Sequence, residues 1–112
     1  MVCRELIAAS TRPLVLAVLS KGENYGYAII QQVREMSGGE LEWSEGMLYP
    51  VLHRLEQEKL IVGRWSKPEN GRRRKYYRLS ASGTRAMQAE RRQWFAVHQT
   101  LASLWGTKPC LT

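Results

Sequence analysis

Apolar residues fall along the chain in blocks of differing period, separated by short glycine- and serine-containing breaks. Residues 1–10 (MVCRELIAAS) hold Leu6 and Ile7 as an apolar pair and read as a short amphipathic segment. Leu14, Leu16, Val18 and Leu19 follow Pro13, and proline is tolerated in a first helical turn. The pattern therefore predicts a first, mostly buried helix from Thr11 or Arg12 to about Ser20, closed by Lys21-Gly22. Asn24 is a favoured N-cap for a second helix, Tyr25 to about Met36, with Tyr25, Ile29, Ile30 and Val33 on its apolar face. Gly38-Gly39 closes that helix, and the alternation Leu41-Glu42-Trp43 fits a minimal strand.

Ser44 predicts the cap of a third helix, with Glu45 favoured by the dipole in the first turn. Leu48, Leu52 and Leu55 form one buried stripe, and the helix should end near Lys59. Pro50 removes a backbone N–H and should bend its early part. Ile61 to about Ser66 reads as a strand, Lys67 to Gly71 as a turn carrying the hairpin signal Asn70-Gly71, and Arg72 to Leu79 as the return strand. Ser80 or Ser82 caps a long last helix running to about Trp105, with Met87, Trp94, Leu101, Val97 and Leu104 along its apolar side and Gly106 and Pro109 after it. Three helices followed by a hairpin, with a short connection between the second and third, is the layout of a winged helix-turn-helix. The expected fold class is mainly α with a small β-hairpin. Residues 1–79 form the winged helix-turn-helix with its N-terminal helix, and residues 80–112 a C-terminal dimerisation helix with a short tail.

Charge sharpens this picture. The formal net charge is +7, unevenly spread: residues 1–63 hold six Lys/Arg against eight Glu, whereas residues 64–92 hold ten against two. Such a concentration suggests a polyanionic partner, with a solvated basic face as the alternative, and its place on and around a hairpin decides for double-stranded DNA. An exposed helix face fits the major groove, where base edges are distinguishable. On the third helix the candidates are Ser44, Gly46, Tyr49, Pro50, His53 and Arg54, all off the leucine stripe. On the hairpin they are Lys67, Arg72, Arg73 and Lys75. Tyr49 has the alternative of packing at the helix start. Strand alternation puts Arg73, Lys75 and Tyr77 on one face and Arg74, Tyr76 and Arg78 on the other, so only one set can face DNA. The competing class, a winged-helix protein-interaction module without a small-molecule effector, would be marked by an uncharged wing.

Other chemistry finds little support. The 112-residue chain contains no Asp, no nucleophile–base pair, no phosphate-cradling glycine loop and no metal-ligand cluster, so an enzyme, a metal site and a cofactor are not expected. Cys3 and Cys110 read as incidental thiols, with a redox-sensing pair across a dimer as the alternative. No apolar run approaches the roughly 20 residues of a membrane span, and residues 1–10 lack the features of a signal peptide, so a cytoplasmic location is expected.

Three stretches resemble the PadR family of transcriptional regulators: Asn24-Tyr25-Gly26-Tyr27-Ala28-Ile29, the run Ser44 to Glu56 (SEGMLYPVLHRLE), and Arg72 to Leu79 (RRRKYYRL) followed by Ser80 and Gly83. The likeness spans about residues 11–105. Met47 stands where the family commonly has threonine. The resemblance implies a homodimer that binds a pseudo-palindromic operator and mostly represses. It also implies a C-terminal dimerisation helix helped by the N-terminal helix, and membership of the short subfamily with one helix after the wing. A last implication is a tryptophan, here Trp94, lining a cavity at the dimer interface where flat aromatic compounds stack. The residues themselves agree in part. An apolar face as wide as that of the last helix needs a partner, which makes Leu6, Met87, Trp94, Val97, Leu101 and Leu104 dimerisation candidates. Paired indoles near a two-fold axis can sandwich a planar ligand, with Val97 and His98 as neighbours. Plain interface packing is the alternative for Trp94. Arg91 and Arg92 nearby would favour anionic phenolics over cations.

Overall fold

A computed structural model describes residues 1–68 and 71–106. In chain order the elements are α1 (Arg4–Leu19), β1 (Asn24–Tyr25), α2 (Gly26–Met36), α3 (Glu45–Gln57), β2 (Ile61–Trp65), β3 (Lys75–Leu79) and α4 (Ala81–Trp105). The predicted class holds: four helices and a small antiparallel sheet of order β1-β3-β2. The core sits where α1, α2 and α3 meet the sheet. Val15 and Leu16, Ile29 and Val33, the stripe Leu48, Leu52 and Leu55, and Ile61 and Tyr77 are all buried there. The leucine stripe is thus the inner wall of α3, and its opposite face is left to solvent.

Several local expectations are corrected. The amphipathic segment and the first helix are one helix, and Pro13 lies inside it rather than in its first turn. The hydroxyls of Ser10 and Thr11 donate to the carbonyls of Leu6 and Ile7 at 2.7 and 2.6 Å, just before the proline. Packing of Ile7 and Leu14 against the core holds the helix across the missing N–H, an override of local propensity by tertiary burial. Asn24 does not cap α2. Asn24 and Tyr25 are extended and pair with Tyr77 and Tyr76, forming the third strand of the sheet. The Asn24 Oδ1 accepts from the Tyr25 N–H at 2.9 Å and its Nδ2 donates to Gln32 Oε1 in mid-α2 at 3.2 Å, so its side chain caps no helix N-terminus. α2 starts at Gly26 with no side-chain cap. Leu41–Trp43 forms no strand, though Trp43 is buried.

α3 begins as expected, with the Ser44 Oγ accepting from the Met47 N–H at 3.2 Å. It ends at Gln57, and Lys59 then takes a left-handed conformation with φ 62°, which lets the Leu60 N–H reach the Leu55 carbonyl at 3.0 Å. The hairpin strands are shorter than predicted, ending at Trp65 and resuming at Lys75. Between them Ser66 takes over the pairing: its N–H donates to the Arg74 carbonyl and its Oγ accepts from the Arg74 N–H, at 2.8 and 2.9 Å. Asn70, Pro109 and Cys110 lie outside the described residues.

α4 is capped by Ser80, whose Oγ accepts from the Gly83 N–H at 3.0 Å, and ends on Gly106 with φ 80°. Its first turn is pressed against the end of α3. A Cβ on Gly83 would overlap the Leu60 carbonyl oxygen, so only glycine fits. Arg12 fastens three helices, reaching Glu58 just past α3 at 2.9 Å and Glu90 on α4 at 3.2 Å. Burial opposes its charge, yet the hydrogen bond and charge of Glu58, with the charge of Glu90, raise the guanidinium above its ordinary pKa. Glu90, which stands between Met87 and Trp94 on the otherwise apolar side of α4, is thereby paired.

Candidate nucleic-acid interface

The inner face of the β2–β3 ribbon grades from apolar to cationic along its length. Cross-strand pairs run from Ile61 with Leu79, through Gly63 with Tyr77, to Trp65 with Lys75, and Arg73 lies just beyond. At the core end Ile61 and Tyr77 are buried; at the outer end Trp65 and Arg73 are exposed. Burial pushes the Tyr77 phenol up from its ordinary pKa, as its place against α3 requires. The opposite face is clamped to β1. Tyr25 and Tyr76 meet edge to face at 5.3 Å, Arg74 stacks over Tyr25 at 4.6 Å, and Arg64 stacks over Tyr76 at 5.1 Å. Arg64 also makes a two-pronged bond to Glu23, with Nε to Oε2 at 2.8 Å, which holds that carboxyl below the usual range.

A groove of about 570 Å³ lies between this ribbon and the N-terminal end of α3. Tyr49 and Glu45 of α3 form one side, Arg72, Arg73, Arg74 and Lys75 the other, and Tyr25 and Tyr27 close it near α2. Ser44, Gly46, Tyr49, Pro50, His53 and Arg54 are all exposed, on the side of α3 away from the leucine stripe. Lys67 is exposed on the hairpin.

Two predicted contact residues carry structural duties as well. Tyr49 is 43% exposed, but its ring lies against the backbone of Gly26: a Cβ there would come within 2.7 Å of its hydroxyl. Gly26 therefore sets how closely α2 and α3 approach at the groove. Lys75 is half-buried and donates to Glu56 at 3.0 Å. The bond to Glu56 raises the ammonium above its ordinary pKa, against the cost of desolvation. Gly63 leaves the space for this pair, since a Cβ there would overlap the Lys75 side chain. Glu56, Gly63 and the Gly26–Tyr49 contact are not visible as site features in the sequence, because nothing local links residues so far apart. Trp65 was also missed, although an aromatic beside a basic turn is a usable signal.

A second groove, of about 870 Å³, runs between α1 and α4. Leu6, Pro13 and Leu14 line one wall and Met87, Trp94, Phe95 and His98 the other. The structure thus brings together Trp94, His98, Leu6 and Met87 among the residues singled out for ligand or partner contact. Val97 does not line the groove; with Leu101 and Leu104 it lies exposed elsewhere on α4. Met87 also packs against the core of its own chain. Among the described residues no group of His, Cys, Asp or Glu stands close enough to hold a metal, and no helix is long and apolar enough to cross a membrane.

Comparison with known proteins agrees with this architecture. Residues 15–89 match the sequence profile described as the transcriptional regulator PadR-like family. The chain is 35% identical over 89 residues to the transcriptional regulator Rv3488 of Mycobacterium tuberculosis, covering 80% of this chain and 79% of that one. A PadR family transcription regulator from Clostridium difficile superposes with a TM-score of 0.73 at 31% identity, covering 86% of this chain and 98% of that one. A transcriptional regulator from Clostridium thermocellum shares the fold with a TM-score of 0.82 at 22% identity, over 92% and 97% of the two chains.

Proposed function

Because the chain belongs to the transcriptional regulator PadR-like family, and is therefore a DNA-binding regulator of transcription, we propose that it acts as a cytoplasmic homodimeric repressor. In this reading the exposed side of α3, with Ser44, Gly46, Tyr49, Pro50, His53 and Arg54, enters the major groove. The hairpin residues Lys67, Arg72 and Arg73 hold phosphates, which position the domain without specifying sequence. Lys75 contributes less directly, because its charge is already met by Glu56. The observation that carries the reading is the groove lined on one side by the wing cations, Arg72 and Arg73 among them, and on the other by the N-terminal end of α3.

Residues 1–79 form the DNA-binding unit and residues 80–112 the dimerisation helix and tail. Pairing of α4 with a second copy covers Val97, Leu101 and Leu104 and brings Trp94 towards its mate. The α1–α4 groove lies within the volume range of small-molecule sites, roughly 300–1,000 Å³. A planar aromatic compound stacked on Trp94 and bordered by His98 would alter the spacing of the two DNA-binding units and release the operator.

The test is a competition measurement. A fragment from the promoter region of the chain's own gene should displace the protein from random duplex by at least about 10³-fold, the low end for specific regulators. No preference for any fragment would remove the repressor reading. Tryptophan fluorescence then tests the ligand: quenching by a flat aromatic compound that disappears in Trp94→Phe places it on that indole, and quenching unchanged in the variant places it elsewhere.

A further inference from the structure

Trp65 ends β2 at the last paired position of the ribbon, opposite Lys75, and is 56% exposed. A large indole left this open at the end of a strand calls for an explanation, since burial gives it none. Two cations lie over its ring: the Arg73 guanidinium at 5.1 Å and the Lys75 ammonium at 5.9 Å from the centroid. They differ in what else holds them. Lys75 is bonded to Glu56 and also sits over Tyr77 at 5.4 Å. Arg73 makes no ion pair among the described residues and rests on the indole. A flat guanidinium over an aromatic face does not use its five N–H donors, which point outward in the guanidinium's own plane and stay free for a phosphate. A side chain with four rotatable bonds is otherwise costly to order at the moment of binding.

We propose that Trp65 is a positioning residue of the wing: it holds Arg73 in a bound-like orientation over the groove, so that the guanidinium meets a DNA phosphate already ordered. The proposal rests on the reading that the wing faces DNA, and adds the device that makes Arg73, rather than Lys75, its principal anchor. The backbone supports the arrangement. Ser66 bonds Arg74 twice, through its N–H and its Oγ, and so fixes the chain on both sides of the Trp65–Arg73 contact. Arg74 is itself stacked on Tyr25 across the sheet, so the segment bearing Arg73 is tied down on the opposite face as well.

A double-mutant cycle on the full chain tests this, with a random-sequence duplex as probe, because phosphate contacts are independent of sequence. At about 50 mM salt, Trp65→Ala should weaken binding about three- to tenfold, the range expected for a partly exposed cation–aromatic contact. In the Arg73→Ala background the same change should weaken it less than about twofold, since the positioned group is gone. Trp65→Phe, which keeps a flat face, should recover most of the loss, and Trp65→Leu should not. Equal losses in both backgrounds would overturn the proposal, showing that the indole touches DNA itself or serves only the fold. Unaltered binding by Trp65→Ala would overturn it too. If Trp65→Ala does not fold, the contrast between Trp65→Phe and Trp65→Leu, each with and without Arg73, decides the matter. Failure of the unaltered chain to bind the duplex would instead overturn the DNA reading, and the proposal with it.

Discussion

Two glycines show how differently the same residue type is used. Gly83 has the Leu60 carbonyl where a side chain would begin, and backbone cannot step aside as a flexible side chain can. Gly83→Ala should therefore destabilise the protein by about 2–3 kcal/mol, at the upper part of the usual overpacking range, read as a lowered midpoint in thermal or denaturant unfolding. Gly46 lies in the first turn of α3 with only the Ser44 Oγ near, at 3.8 Å. Gly46→Ala should leave the fold intact or stabilise it by up to about 0.5–1 kcal/mol, from helix propensity alone. If the backbone of α3 approaches DNA closely at Gly46, the same variant should bind duplex more weakly despite its sturdier fold. A stabilised variant with unchanged DNA affinity would show that Gly46 faces open space in the complex. The sequence distinguishes these two glycines poorly, because the partner of Gly83 is a carbonyl far away in the chain.

At the scale of elements, what was legible followed from periodicity and what was not followed from contact. The leucine stripe of α3, the Ser44 and Ser80 caps, the hairpin and the length of α4 are all written in local spacing. Pro13 and Asn24 misled for a common reason: each has a strong local preference that tertiary pairing overrode, in one case a helix packed along α4, in the other a strand paired with Tyr76 and Tyr77. The wing's alternation was legible, but the division of labour within it was not. Arg73 and Lys75 share a face, yet one is free of carboxylates among the described residues and the other is held by Glu56. A charge that is already neutralised releases fewer counterions when a phosphate arrives. Arg73→Ala should therefore reduce the slope of log K against log salt by about 0.9, one phosphate contact's worth, and Lys75→Ala by clearly less. Equal reductions would mean that Lys75 leaves Glu56 for DNA.

The whole molecule is elongated, 53 × 30 × 22 Å, and the far half of α4, which shares a groove with α1, leaves much of its apolar surface open. Of that half only Ala102 is buried; Val97 is 55%, Leu104 78% and Trp105 71% exposed, and Leu101 is open as well. A two-fold pairing would cover each of these four side chains twice, which concentrates the apolar surface available for association on this face of α4. Val97 and Leu104 lie seven residues apart on one side of the helix and line neither groove. Val97→Glu with Leu104→Glu should thus spare the monomer's core while placing repelling carboxylates along the proposed seam. Sedimentation should show the unaltered chain as a dimer and the double variant as a monomer with the same helical content. The DNA consequence follows from geometry. Two recognition helices about 34–36 Å apart engage successive major grooves together, and the second engagement is intramolecular. Losing it should lower operator affinity by about 10²-fold or more, while random-duplex affinity per chain changes little. A double variant that sediments as a dimer would move the interface off this face of α4, and with it the expectation that Trp94 meets its mate.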